Sequence, residues 1–154
     1  MNTKIKNKGF TIIEVVLVLA IAGLIFMMVF IALPALQRSQ RDTQRKNDLS
    51  RLNTAVASYQ SNNRGALPTS VTGWNSLVTS YVRVSGDTFV DPAGTNYIVR
   101  TTGTLPTTFD ANNPVILVTT GAVCNGETIV TNQGSRKVAF QMRLEGSGVA
   151  CQNN

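Results

Sequence analysis

Between Val15 and Leu36 the chain carries no charged residue. At about 1.5 Å per residue that run makes a helix roughly 33 Å long, enough to cross a bilayer core of about 30 Å. Polarity returns abruptly from Gln37 to Asp48, with Arg38, Arg41, Asp42, Arg45, Lys46 and Asp48. Apolar residues then recur at Leu49, Leu52, Val56 and Tyr59, at spacings of three, four and three that keep them on one helical face. These segments predict one helix from Thr11 to Asn62, apolar in its first half and amphipathic in its second. Asn62-Asn63-Arg64-Gly65 supplies its stop signal. The charged stretch reads as a solvated helix face. Two residues interrupt the apolar half. Gly23 costs up to about 1 kcal/mol of helix propensity and lets a neighbouring helix approach closely. Pro34 cannot donate to the helix ladder and is expected to kink or locally melt it.

Residues 66–95 form a connecting region. Trp74, Leu77, Val78 and Tyr81 fall on one face of a short amphipathic helix after Thr72, and Trp74 is expected to contact the core. Asp87 and Asp91 flank Phe89 too sparsely to make a calcium site. Beyond them the pattern turns to strands. Tyr97 to Thr101 and Val115 to Thr120 are rich in β-branched residues. Val138, Phe140, Met142 and Leu144 alternate with Ala139, Gln141, Arg143 and Glu145, the period of a half-buried strand. Gly146-Ser147-Gly148 turns the chain into a last strand, Val149 to Gln152. The fold class is therefore α+β, a long N-terminal helix packed by a small antiparallel sheet, because short turns favour antiparallel order. Leu49, Leu52, Val56 and Tyr59 are to face Phe140 and Met142. Gly126, Asn132, Gln133, Gly134, Arg136 and Lys137 suit an exposed loop.

One carboxylate, Glu14, stands at the edge of the apolar run, where burial would cost on the order of 2.5–3.5 kcal/mol and so calls for a partner. A plain single-span anchor explains the length but leaves Glu14 idle. A secretory signal has a shorter apolar region than this, and Leu33-Pro34-Ala35 makes a poor cleavage site. The stretch Lys8-Gly9-Phe10-Thr11-Ile12-Ile13-Glu14-Val15-Val16, with Lys4 and Lys6 ahead of it, resembles the cleavage and methylation site of type IV prepilins. Residues 45–68, from Arg45 through Leu49, Leu52 and Tyr59 to Gly65 and Pro68, also resemble the end of the long pilin helix.

The resemblance implies that a membrane-bound prepilin peptidase cuts between Gly9 and Phe10 and methylates the new amine of Phe10. It divides the chain into a basic leader, 1–9, a transmembrane or filament-core helix, 10–36, and a globular head, 37–154, that includes the second half of the long helix. The lysines would hold the leader on the cytoplasmic side. Glu14 would pair with the Phe10 amine of a neighbouring subunit, setting the register of assembly. The implied partners are the peptidase, the membrane, an inner-membrane assembly platform with its ATPase, and copies of the chain in a helical filament that serves adhesion, motility or DNA uptake.

Net charge is +6 over 154 residues. Three of the 14 basic residues lie in the leader, so removing it leaves eleven against eight acidic ones. The basic balance is thus half a targeting effect and weak testimony for nucleic acid. There is no His, hence no usual general base. No CxxC, Walker A, G-x-S-x-G or dinucleotide turn occurs, so no enzyme and no cofactor is expected. Cys124 and Cys151 are the only cysteines. Outside the cytoplasm they point to a disulfide before a metal site or redox pair, and many pilins carry such a C-terminal bond. It would contribute roughly 3–4 kcal/mol by loop entropy. Three other functions compete: a pseudopilin of a type II secretion system, a minor pilin whose Arg136, Lys137 and Arg143 contact DNA phosphates, and a monomeric anchored binding protein for which Glu14 is dispensable.

Overall fold

The computed structural model describes residues 9–154; Lys4, Lys6 and Lys8 lie outside them. The chain divides into two compact units, the first ending at Gln37 and the second running from Arg38 to Asn154. Helix α1 (Ile12–Asn62) contributes its apolar part to the first and its amphipathic part to the second. From Ile12 onward the first unit is α1, which stays helical through Pro34, so the locally melted turn weighed from sequence does not form there. Among the described residues its side chains are almost all exposed. Ile12 is 85% exposed and Phe30 75% exposed, and the membrane-length window is wholly unburied. Such an apolar surface is unstable in water and needs lipid or other helices around it.

In the second unit α1 ends where sequence places the stop. The Gly65 N–H reaches back to Gln60 O at 2.7 Å, with Arg64 at φ 56° and Gly65 at φ 83°. This left-handed closure satisfies the terminal carbonyls and favours glycine. Helix α2 (Val71–Leu77) begins two residues before its expected start, because Ser70 caps it by accepting from Gly73 N at 3.1 Å. A π-helical turn, Val78–Val82, extends it and buries Val78 and Val82.

Six strands follow: β1 (Ile98–Arg100), β2 (Val115–Thr120), β3 (Val123–Asn125), β4 (Thr128–Val130), β5 (Val138–Arg143) and β6 (Val149–Asn153). The main sheet has the order β1-β2-β5-β6. It is mixed, not wholly antiparallel as expected, because β1 pairs with β2 in parallel, Ile98 opposite Val115. The 101–114 link explains this: a parallel crossover needs a dozen or more residues, and this link supplies them. The β3–β4 hairpin forms a second sheet inside the region expected to be loop. Leu49, Leu52 and Val56 of α1, Trp74 and Leu77 of α2, Ile116 and Val118 of β2, and Phe140 and Met142 of β5 form one core. Tyr59 is partly buried against it. Trp74 meets Phe140 edge-to-face at 5.9 Å, which makes it a core residue. Fully burying each such side chain stabilises the fold by about 1.5–3 kcal/mol.

Candidate processing and assembly site

The Gly9–Phe10 peptide lies ahead of α1 in non-helical, exposed chain, and Phe10 is 89% exposed. The bond is therefore reachable without unwinding the helix. A Cβ added at Gly9 would meet no atom within 4 Å. The described structure therefore does not itself demand glycine here.

Glu14 is tied to the start of α1 by a reciprocal pair of contacts. Its carboxylate accepts from Thr11 N and from Thr11 Oγ1, both at 2.8 Å, while Glu14 N donates to Thr11 Oγ1 at 3.4 Å. This is a capping box, in which the first residue and the carboxylate three positions on satisfy each other's free N–H groups. Sequence reasoning missed this role, although Thr11-Ile12-Ile13-Glu14 carries its T-x-x-E signature. Glu14 is thus a local helix cap that carries a negative charge, four residues past the exposed Phe10 and followed by apolar helix. Phe10 itself makes no contact with Glu14 among the hydrogen bonds of the described residues.

The second unit holds a charged cluster that corrects the expectation of a solvated face. Arg45 is fully buried. Its Nε and Nη2 donate to the two oxygens of Asp91 at 2.6 and 2.9 Å, and its Nη1 donates to Asp42 at 2.9 Å and Glu145 at 3.3 Å. The guanidinium sits 4.0 Å from the centre of the Phe109 ring. Burial works to lower the Arg45 pKa, but the hydrogen bonds it donates to Asp91 and Asp42 hold it above the ordinary arginine value. Arg41 donates to both oxygens of Glu145 at 2.6 and 2.8 Å. Those bonds, with the help of Arg45, bring the Glu145 carboxyl down to about 2.

Asp42 also accepts from the backbone N–H groups of Glu145 and Gly146, at 2.9 and 2.7 Å. Next along the helix, Asp48 accepts from Tyr97 Oη at 2.8 Å and from Arg51 at 3.2 Å. Burial raises the Asp48 pKa against the pull of those two bonds, and burial together with Asp48 raises that of Tyr97. Every charged member of this cluster is hydrogen-bonded to another group of the head. It is a fastening between α1, the Asp91 turn and the start of the β5–β6 turn, with no open coordination for a ligand. Among the described residues no group of acidic, His or Cys side chains could hold a metal ion.

Cys124 and Cys151 are joined, with Cα atoms 5.8 Å apart, and fasten the β3–β4 hairpin to β6. Arg136 and Lys137 are exposed and line an open groove of about 490 Å³ together with Arg64. Arg143 does not line it; its side chain is half-buried and donates to Pro106 O at 3.1 Å. The three cations suggested for phosphate contacts thus do not converge on one site.

Residues 4–30 match the family model of the prokaryotic N-terminal methylation motif. No match was found among curated proteins or solved structures. The matched segment carries the signature of type IV pilin- or pseudopilin-type prepilins, and it contains the exposed Gly9–Phe10 bond, Glu14 and most of the apolar run.

Proposed function

We propose that this chain, prepilin by its N-terminal signature, is a structural subunit of a type IV pilus. A prepilin peptidase removes residues 1–9 and methylates the amine of Phe10. The mature chain waits in the membrane through residues 10–36 and then leaves it for a growing filament, drawn out by an assembly platform and its ATPase. In the filament the apolar helices bundle into the core and the heads, 37–154, form the outer surface.

The observation that carries this reading is the placement of a single carboxylate at the head of a helical stretch, 12–36, that is otherwise uncharged and exposed, and that begins inside the matched motif. After cleavage the amine of Phe10 is cationic at neutral pH whether or not it is methylated. Its charge and that of Glu14 attract strongly in an apolar medium, and pairing offsets the desolvation that each would otherwise suffer. Pairing across subunits stabilises a fixed stagger between neighbouring helices, so Glu14 acts as a register and not as a catalyst. The Arg45 cluster ties the sheet and the Asp91 turn to the second half of α1, and the disulfide ties the β3–β4 hairpin to β6, which gives the head a fixed form for the filament surface.

Intact mass and N-terminal sequencing of protein sheared from the cell surface test the reading. The expected product starts at methylated Phe10, has both cysteines oxidised and sediments with filaments. Processed chain that never leaves the membrane would instead favour a pseudopilin. A chain starting at Met1 would overturn the proposal.

A further inference from the structure

The β3–β4 hairpin presents the one Asn–Gly step of the sequence, Asn125-Gly126. Asn125 pairs with Thr128, so Gly126 and Glu127 form the turn between them. Gly126 has φ 62°, and Glu127 is not among the residues of positive φ. That is the pattern of a type II′ turn, with glycine at its first central position. Asn125, Gly126, Glu127 and Thr128 are all exposed. A Cβ added at Gly126 would meet nothing within 4 Å. Thr128 Oγ1 donates to the Asn125 carbonyl at 2.8 Å. Among the described residues the Asn125 side-chain amide and the Gly126 N–H have no hydrogen-bond partner.

We infer that Asn125 is a site of spontaneous self-modification, in which the backbone nitrogen of Gly126 displaces ammonia from the Asn125 side chain and water completes the conversion to an acid. The Gly126 nitrogen attacks Asn125 Cγ, forming an N–C bond. The Cγ–Nδ2 bond breaks, and ammonia leaves with the former amide proton. Water then adds to one carbonyl of the five-membered imide and breaks a C–N bond, which restores the N–H of Gly126 and leaves a carboxylate. Water is the only co-reactant. Opening at the side-chain carbonyl gives aspartate. Opening at the backbone carbonyl gives an isoaspartyl link, with the main chain routed through Cβ.

The turn favours this site over other exposed asparagines. Glycine at 126 has no Cβ to obstruct the approach or narrow its backbone freedom, whereas Asn112 and Asn132 are followed by Asn113 and Gln133. The product changes the head in two ways. A neutral amide becomes a second carboxylate beside Glu127, and the isoaspartyl form adds a backbone atom between Cys124 and the turn, which disrupts the Asn125–Thr128 pair. Chains would thus acquire charge with age on the hairpin that the disulfide fastens.

The full-length, disulfide-intact chain in detergent is held in mildly alkaline buffer made with ¹⁸O-water, then digested and followed by mass spectrometry. The expected result is one ¹⁸O in the new carboxylate at residue 125, ammonia released in step, and unchanged peptides containing Asn112 and Asn132. Asn125→Gln, which keeps the amide but lengthens its chain, should lose the conversion while leaving the hairpin turn intact. Persistence of the Asn125 amide in the folded chain, with conversion only after unfolding in urea, would overturn the inference. So would conversion at Asn112 or Asn132 at the same rate.

Discussion

Replacing Arg45 with Met removes the guanidinium but keeps a side chain of similar length and apolar character. In the native head Arg45 and Asp91 are both fully buried at the side chain, and Asp42 is nearly so. Without the cation, Asp91 keeps only the backbone N–H of Ala93 as a partner at 2.9 Å, and Asp42 keeps those of Glu145 and Gly146. Breaking a buried pair by removing one member costs about 3–5 kcal/mol, because the remaining charge stays desolvated. A domain of this kind has about 5–15 kcal/mol in total, so the loss is a large share of its stability. With a urea slope of about 1–3 kcal/mol per molar, the unfolding midpoint of the head, 38–154, should fall by roughly 2 M. Asp91→Asn keeps the bond from Ala93 and removes the charge. Its effect and that of Arg45→Met should be far from additive, with a coupling of about 1–3 kcal/mol in the double variant. A midpoint left nearly unchanged by Arg45→Met, or full additivity in the cycle, would refute the view that this pair fastens α1 to the head.

Other consequences can be checked with the same equipment. Acid should weaken the head through Glu145: its pKa is depressed from 4.5 to about 2, so the stability it confers is complete above about pH 4.5 and is lost as pH falls towards 2. Asp48, raised by burial, has the opposite sign and gains from protonation, so Glu145→Gln should flatten the acid limb of a stability–pH curve. Reducing the Cys124–Cys151 bond, or replacing both residues with Ser, should cost about 3–4 kcal/mol by loop entropy, and chemical denaturation with and without reductant reads that difference. Gly65→Ala places a Cβ 2.9 Å from Arg136 Nε at a φ of +83°. It should cost about 1–2 kcal/mol from the left-handed backbone alone, measured as a drop in melting temperature.

The parts of the fold that follow local rules were legible in the sequence. The helix limits, the β2 strand and the alternation of β5 rest on periodicity within a few residues. What escaped was set by distant neighbours. Arg45 looks like a surface charge on α1 because its partners, Asp91 and Glu145, lie 46 and 100 positions away. The parallel pairing of β1 with β2 follows from where the 101–114 link returns, which no local pattern reveals. Two misses had a readable sign. Asn125-Gly126 marks a hairpin turn, and Thr11 with Glu14 marks a capping box. The charge of Glu14 beside an apolar run draws attention to a partner outside the chain, whereas its nearest partner is Thr11 of its own helix.

Glu14 caps its own helix, and the proposed assembly role is tested by separating its charge from that cap. Glu14→Gln keeps the capping-box geometry, since glutamine fills the same role, and removes only the charge. Filaments on cells expressing Glu14→Gln should be counted by electron microscopy, alongside N-terminal sequencing of the membrane-bound chain. The expected result is normal cleavage at Gly9–Phe10 and an intact helix, with surface filaments lost. Filaments of unchanged number and length would contradict it and reduce Glu14 to a helix cap.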